Sequence, residues 1–187
     1  MDNVRMNGGV DMNCGPVAIQ IATGLAYEDI IHKWPGDWEA SDVGTGAFGL
    51  PNDMPCDHYA LLKDLGVSHR NITSKDILEG RAVPDRTVVL LHLVDAPRGF
   101  FGYITNFIRG FFAQHWVVFK GYTPDGRYMF DWGWFRVVNK ERVPDLRVFD
   151  RDQVNTMLKT SWPACAYVVN DGTAEQPWYK RTIARWI

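Results

Sequence analysis

The chain has 187 residues, of which 46% are hydrophobic and 22% are charged, and its formal net charge is -2. This length and composition favour one folded domain over residues 1–187 with a core of its own, because no linker-like segment or repeat divides the chain. Lysines and arginines are scattered along the sequence, so the charge pattern gives no basis for a nucleic-acid partner.

Cysteine usage and the first residues bear on the compartment. Three cysteines at irregular spacing argue for reducing surroundings rather than a disulfide framework. Residues 1–5 lead into polar and glycine residues instead of the apolar segment of a signal peptide. No run of about 18 apolar residues is present that would span a membrane. We therefore expect a cytoplasmic protein without a transmembrane segment.

The first predicted element is a helix that begins beside a cysteine. Val17, Ile21 and Leu25 lie four residues apart, and Pro16 is favoured in a first helical turn, so the helix should begin near Cys14 and end near Gly24. Unpaired N–H groups and the positive end of the helix dipole stabilise an anion at such a position. The pattern therefore indicates a thiol that ionises readily, and the thiolate is the nucleophile of thiol catalysis.

The rest of the amino-terminal half is predicted to be helical and rich in loops. A short second helix is expected over residues 27–34, followed by a glycine-rich loop over residues 41–52. A third helix is expected over residues 55–66. Cys56 and His58 stand at its start, but no second Cys/His pair lies near them, so neither a metal site nor any other cofactor is predicted.

The carboxyl-terminal half has the patterns of an antiparallel sheet. Strands are predicted over about residues 87–94, 115–122, 127–138 and 164–169. Asp150 is the candidate N-cap of a helix that precedes the last strand. The phenylalanine-rich segment 99–112 lies between the first two strands. It is interpreted either as a lid or substrate-binding lip, or as a covering helix that packs inward.

A histidine and an aspartate occupy suggestive positions in this sheet. His115 begins the second strand and Asp131 follows sixteen positions later, an even separation that puts both side chains on one face of a regular ladder. There the carboxylate would orient the imidazole. For His115 and Asp131 to face each other, the turn would have to be centred on Thr123. The turn signal over residues 123–126 is centred nearer Asp125, which in a regular hairpin sets Asp131 opposite Phe119. A bulge near Gly121 is the alternative that absorbs this offset.

The ordered set of these residues resembles the papain-like cysteine peptidases, most closely the C39 or bacteriocin-processing group. Cys14 opens a Cys-Gly-Pro run, His115 is followed by an apolar strand that ends in Gly-Tyr, and Asp131 ends the next strand. The likeness covers about residues 7–170. It implies an α+β, papain-like cysteine proteinase fold in which an amino-terminal helical half packs on a carboxyl-terminal antiparallel sheet.

The resemblance also implies an activity. It is hydrolysis of peptide or isopeptide bonds in a peptide or protein substrate, through a triad of Cys14, His115 and Asp131 and an acyl-enzyme. The family has a glutamine six positions before the cysteine that binds the oxyanion, whereas this chain has Gly8 there. The amides of Asn7 and Asn13 are the candidates to replace it.

Three tryptophans flank the expected base and carboxylate and are candidates to line a narrow substrate cleft: Trp116, Trp132 and Trp134. A narrow cleft predicts Gly or Ala immediately before the scissile bond. The wider papain-like family also places an indole over the bond between the histidine and the third residue. The alternative is that all three indoles pack in the core.

Other interpretations stay open at this stage. His92 is the rival base, although its apolar neighbours favour a structural role. The same thiol chemistry would serve a cell-wall peptide amidase or endopeptidase. The missing glutamine is the one feature that favours a non-catalytic, peptidase-like domain that binds a peptide without cleaving it.

Overall fold

The computed structural model describes residues 14–33, 55–92, 114–160 and 166–170. The helices of this part of the chain are α1 (Cys14–Thr23), α2 (Tyr27–His32), α3 (Pro55–Asp64), α4 (Ser74–Leu78) and α5 (Arg151–Thr160). Its strands are β1 (His69–Ile72), β2 (Thr87–His92), β3 (Gln114–Tyr122), β4 (Tyr128–Val138), β5 (Glu141–Phe149) and β6 (Ala166–Val169). The predicted α+β class is confirmed at this level.

The six strands form one sheet in the order β1-β6-β2-β3-β4-β5, and every neighbouring pair is antiparallel. Two strands and one short helix were not predicted from the sequence: β1, β5 and α4. Because β1 belongs to the amino-terminal half, the expected division into a helical half and a sheet half is only partly correct.

Helices cover both faces of the sheet. The face under α1, α2 and α3 is lined by side chains that alternate along the strands: Val88, Leu90, Trp116, Val118, Tyr167 and Val169. The face under α4 and α5 is lined by the intervening residues: Val89, Leu91, Val117, Phe119, Phe130, Trp132 and Val168. Strands that are apolar on both faces are the usual consequence of such a three-layer arrangement.

Local signals fixed several element ends as expected. α1 begins at Cys14, and the chain leaves it at Gly24, whose φ of +75° is accessible mainly to glycine. Asp150 caps α5, since its Oδ1 accepts the N–H of Gln153 at 2.8 Å. Among the described residues, none of the helices is long and apolar enough to cross a membrane.

Two irregularities in the pairing of β4 with its neighbouring strands set the geometry of the site. The first is a bulge in the β3–β4 pairing between Phe119 and Gly121, which confirms the bulge predicted near Gly121. It makes Val118 the partner of Asp131. The second interrupts the β4–β5 pairing between Asp131 and Phe135. Bulges of this kind bend a strand and redirect its groups.

Candidate active site

Cys14 is the first residue of α1. Its side chain is half-buried and packs against the cluster on the α1 face of the sheet. The first turn of α1 contains no acidic side chain that would oppose a negative sulfur. The position of Cys14 at the helix start is as expected, and the ready ionisation of its thiol stays a prediction.

His115 is the second residue of β3 and is only 5% exposed. Its Nε2 lies 2.8 Å from the main-chain carbonyl oxygen of Trp132. Since a carbonyl can only accept a hydrogen bond, Nε2 carries the proton and donates it. In the neutral ring, Nδ1 is then the nitrogen that can take up a proton. The carbonyl of Trp132 thus selects the tautomer in which His115 has a defined basic atom.

Asp131 lies in β4 and is 2% exposed. Its Oδ1 accepts the main-chain N–H of Gly133 at 3.0 Å, which is the hydrogen bond of an Asx turn. Gly133 has a φ of +73°, a conformation that glycine adopts with little steric cost. The aspartate and the glycine together shape the β4 irregularity around Trp132.

The regular ladder expected between His115 and Asp131 is not the register of the sheet. Asp131 pairs with Val118, three residues or about 10 Å along β3 from His115. The bulge before Gly121 adds one residue to β3, so the even separation no longer places the two side chains on one face. By strand alternation, Asp131 belongs to the face of Val118 and His115 to the face of Val117.

The Trp132–Gly133 peptide connects His115 to the start of α1. Its carbonyl accepts from His115, and a Cβ at Gly133 would lie 3.1 Å from Cγ1 of Val17. Val17 is three residues after Cys14, which places the two on neighbouring positions of one helix side. α1 also packs on β3 and contacts β4. The corner where the start of α1 meets the β4 irregularity thus connects α1 to Gly133 and, through the carbonyl of Trp132, to His115 on the other face of the sheet.

The three tryptophans occupy different positions. Trp116 is 2% exposed and stacks on His58 with ring centroids 4.0 Å apart. Trp132 is 1% exposed, so these two indoles pack in the core, as the alternative held, and do not line a cleft. Trp134 is half-buried. The rings of Trp132 and Trp134 both lie 5.4 Å from that of His115, so both indoles flank the imidazole.

Arg147 was not anticipated as part of this corner. Its guanidinium lies over the rings of Trp132 and Trp134, at 4.5 and 5.3 Å from their centroids. Nη2 of Arg147 lies 2.9 Å from Oδ2 of Asp145, which orients it. Cation–π contacts of this kind stabilise the placement of indoles. The Asp-x-Arg spacing of β5 puts both side chains on one face of a strand, and this was the available signal.

Several expected site residues lie outside the described residues: Asn7, Asn13 and the segment 99–112. His92 ends β2 opposite Gln114, and its side chain is likewise outside them. In the described part of the chain, no three His, Cys, Asp or Glu side chains form a metal-binding group.

A helix-start thiol and an imidazole with a basic Nδ1 are the two groups that nucleophilic acyl transfer requires. Comparisons of the chain with protein-family models, curated proteins and solved structures find no match. The chemistry of this corner, together with the order of its residues, is therefore the basis on which a function can be assigned.

Proposed function

We propose that this protein is a papain-like cysteine peptidase, closest to the C39 group, that hydrolyses peptide or isopeptide bonds. The observation that carries the proposal is the corner itself. Cys14 begins α1 one turn from Val17, Val17 abuts Gly133, and the neighbouring carbonyl holds His115. We further propose a cytoplasmic location, in which a thiol of this kind stays reduced.

In the proposed reaction, Nδ1 of His115 takes the proton of the Cys14 thiol, and the thiolate attacks the carbonyl carbon of the substrate. The new C–S bond gives a tetrahedral oxyanion, which collapses as His115 protonates the leaving amine nitrogen. Water then attacks the thioester and gives its proton to Nδ1. Release of the carboxylic acid product returns that proton to the sulfur of Cys14.

The oxyanion needs hydrogen-bond donors at the position where charge develops. We propose the main-chain N–H of Cys14 and a side-chain amide of Asn7 or Asn13. Removal of one such donor typically costs about 100- to 1,000-fold in rate. If Asn7 fills this role, Asn7→Ala should therefore lower kcat far more than it changes KM.

Thiol labelling combined with cleavage mapping tests the proposed function. Brief iodoacetamide treatment at pH 6, followed by peptide mass spectrometry, should modify Cys14 well ahead of Cys56 and Cys165, because a helix-start thiol is enriched in thiolate. A proteome-derived peptide library should yield new amino termini with the wild-type protein and none with Cys14→Ala. Equal labelling of all three cysteines together with an uncut library would contradict the proposal.

The same experiments address the second candidate, a domain that binds peptides without cleaving them. Gly8, where the family has glutamine, is the feature that favours it. For such a domain, the library would remain uncut while peptides are retained by both wild type and Cys14→Ala. For a peptidase, Cys14→Ala would retain peptides that the wild-type protein converts to products.

A further inference from the structure

We propose that Asp131 is a positioning residue that acts on His115 through the main-chain carbonyl of Trp132. This inference deepens the proposed function and rests on it for its catalytic consequence. The placement of the imidazole by the turn at residues 131–133 does not depend on that function. Two hydrogen bonds in series define it: Gly133 N–H to Asp131 Oδ1 at 3.0 Å, and His115 Nε2–H to the Trp132 oxygen at 2.8 Å.

The turn fixes the plane of the peptide that bears the acceptor. The Trp132 carbonyl and the Gly133 N–H belong to one planar unit, so holding the N–H also sets the direction of the carbonyl. The carboxylate of Asp131 holds that N–H on one side, and the carbonyl then faces His115 on the other. A negatively charged acceptor makes a stronger bond to an N–H than a neutral one does.

The surroundings of Gly133 restrict the turn further. The β4–β5 pairing is interrupted between Asp131 and Phe135, so the Trp132 carbonyl lies where the ladder does not dictate its direction. A φ of +73° and the contact with Val17 require glycine at position 133. The irregularity is thus built to aim a main-chain acceptor at the imidazole, which is a recurrent use of bulges beside active sites.

An indirect role has a consequence that distinguishes it from orientation by the carboxylate itself. The carbonyl of Trp132 fixes the tautomer of His115 without placing a full negative charge on Nε2. Asparagine can accept the Gly133 N–H through its own Oδ1 and should therefore replace Asp131 well. Alanine cannot, and the peptide plane is then free to rotate away from His115.

NMR spectroscopy gives a direct readout, because Trp132–Gly133 is the only Trp-Gly pair in the sequence. Carbonyl-¹³C tryptophan combined with ¹⁵N-glycine yields one HNCO cross peak, which reports on both hydrogen bonds at once. Long-range ¹H–¹⁵N spectra of His115 report which ring nitrogen carries the proton. In the wild-type protein we expect Nε2 to be protonated and Nδ1 to be unprotonated.

Three variants complete the experiment. Asp131→Asn should preserve the cross peak and the tautomer and keep kcat/KM within about threefold of wild type. Asp131→Ala should shift the cross peak, mix the tautomers of His115 and lower kcat/KM by about 100-fold, the lower range for loss of a positioned base. Asp150→Ala is the matched control, because it removes a carboxylate-to-N–H bond of 2.8 Å at the start of α5. It should change none of these readouts.

A tautomer with the proton on Nδ1, or an unchanged cross peak in Asp131→Ala, would overturn the proposed positioning role. So would an Asp131→Asn variant that loses the Nε2-protonated tautomer. If the spectra behave as expected but the wild-type protein cleaves no peptide, the positioning role of Asp131 is supported and the peptidase assignment is wrong. If cleavage requires Cys14 and His115 while the spectra contradict the turn, the peptidase assignment is supported and the positioning role of Asp131 is wrong.

Discussion

Two histidines are buried among aromatic rings in this protein, and they differ in what their ring nitrogens contact. His58 belongs to α3, is 0% exposed and stacks on Trp116 of β3. His115 lies against the indoles of Trp132 and Trp134 at the start of β3. Burial and aromatic packing alone therefore do not separate a structural histidine from a candidate base.

The hydrogen-bond partners do separate them. Nδ1 of His58 lies 2.6 Å from the hydroxyl of Tyr167, and a hydroxyl can donate or accept. Nε2 of His115 meets a carbonyl that only accepts. The hydroxyl bonded to His58 is compatible with either tautomer, whereas the carbonyl bonded to His115 determines which nitrogen carries the proton. A ring nitrogen that is defined as unprotonated in the neutral imidazole is what a general base requires.

The largest expected effect comes from removing each histidine in turn. His115→Ala should lower kcat/KM by about 100- to 10,000-fold, since it removes the proposed base, and its pH profile should lose the limb that reports imidazole titration. His58→Leu should reduce the free energy of unfolding instead, with near-normal activity per folded molecule. Peptide-cleavage kinetics and urea unfolding of both variants measure the two effects.

The assignment of the base would have to be abandoned if His58→Leu abolished cleavage in a folded protein. The same holds if His92→Ala proved more damaging than His115→Ala, because His92 is the rival base of the sheet.

A second comparison uses two glycines of similar backbone geometry. Gly133 and Gly66 have φ values of +73° and +68°. A Cβ at Gly66 meets nothing within 4 Å, whereas one at Gly133 meets Val17. Gly66→Ala should cost about 1–2 kcal/mol in unfolding free energy from the left-handed backbone alone. Gly133→Ala should cost more and should also lower kcat, because it disturbs the carbonyl that holds His115.

Urea unfolding and cleavage assays on the two glycine variants provide the measurement. Equal losses of stability, with full activity in Gly133→Ala, would show that the Val17 contact and the turn have no bearing on His115. Combining Gly133→Ala with Val17→Ala should cost less than the sum of the two single losses, since the second change removes the steric contact but leaves the strained φ.

Sequence patterns predicted those parts of the fold that local chemistry controls. The start of α1 follows from Pro16, the end from Gly24, and the capping of α5 from Asp150. The bulge near Gly121 was also predicted as an alternative, because the turn signal is centred too late for Asp131 to face His115 in a regular hairpin. Each of these features depends on residues within a few positions of one another.

Features that depend on the whole sheet were not predictable in this way. β1 and β5 are the edge strands, and β5 carries charges and Pro144 in place of an alternating apolar pattern. Edge strands commonly have such sequences, which hinder pairing with other chains. The consequence of the bulge was not predictable either: it pairs Asp131 with Val118 and so places Asp131 and His115 on opposite faces of the sheet.

In the candidate site too, some features follow from local sequence patterns and others depend on the whole sheet. The order and flanks of Cys14 and His115 selected them as candidates, and their pairing as nucleophile and base stays a prediction. The acceptor for His115 is a main-chain carbonyl. Every residue has one, so the residue type does not reveal which carbonyl will accept the bond. The Asp-x-Gly spacing at residues 131–133 is the one signal for it, since this pattern favours an Asx turn.

A smaller effect is expected at the tyrosine that bonds to His58. Tyr167→Phe removes the hydroxyl 2.6 Å from Nδ1 and leaves a buried ring nitrogen without that partner. The free energy of unfolding should fall by about 1–3 kcal/mol, while kcat/KM stays near the wild-type value because His115 keeps its own acceptor. Urea unfolding measures the loss. An equal fall in activity per folded molecule would mean that the two histidine sites are coupled.

The smallest expected effect comes from removing the positive charge beside the aromatic rings that flank His115. Arg147 lies over the indoles that flank His115. Arg147→Met keeps much of the side-chain length but removes the cation, and should lower the unfolding free energy by about 0.5–1 kcal/mol. Arg142→Met is the control, because Arg142 lies on the same strand with an exposed side chain. If both variants unfold at the same urea concentration, the guanidinium does not hold the two indoles, and their position beside His115 comes from packing alone.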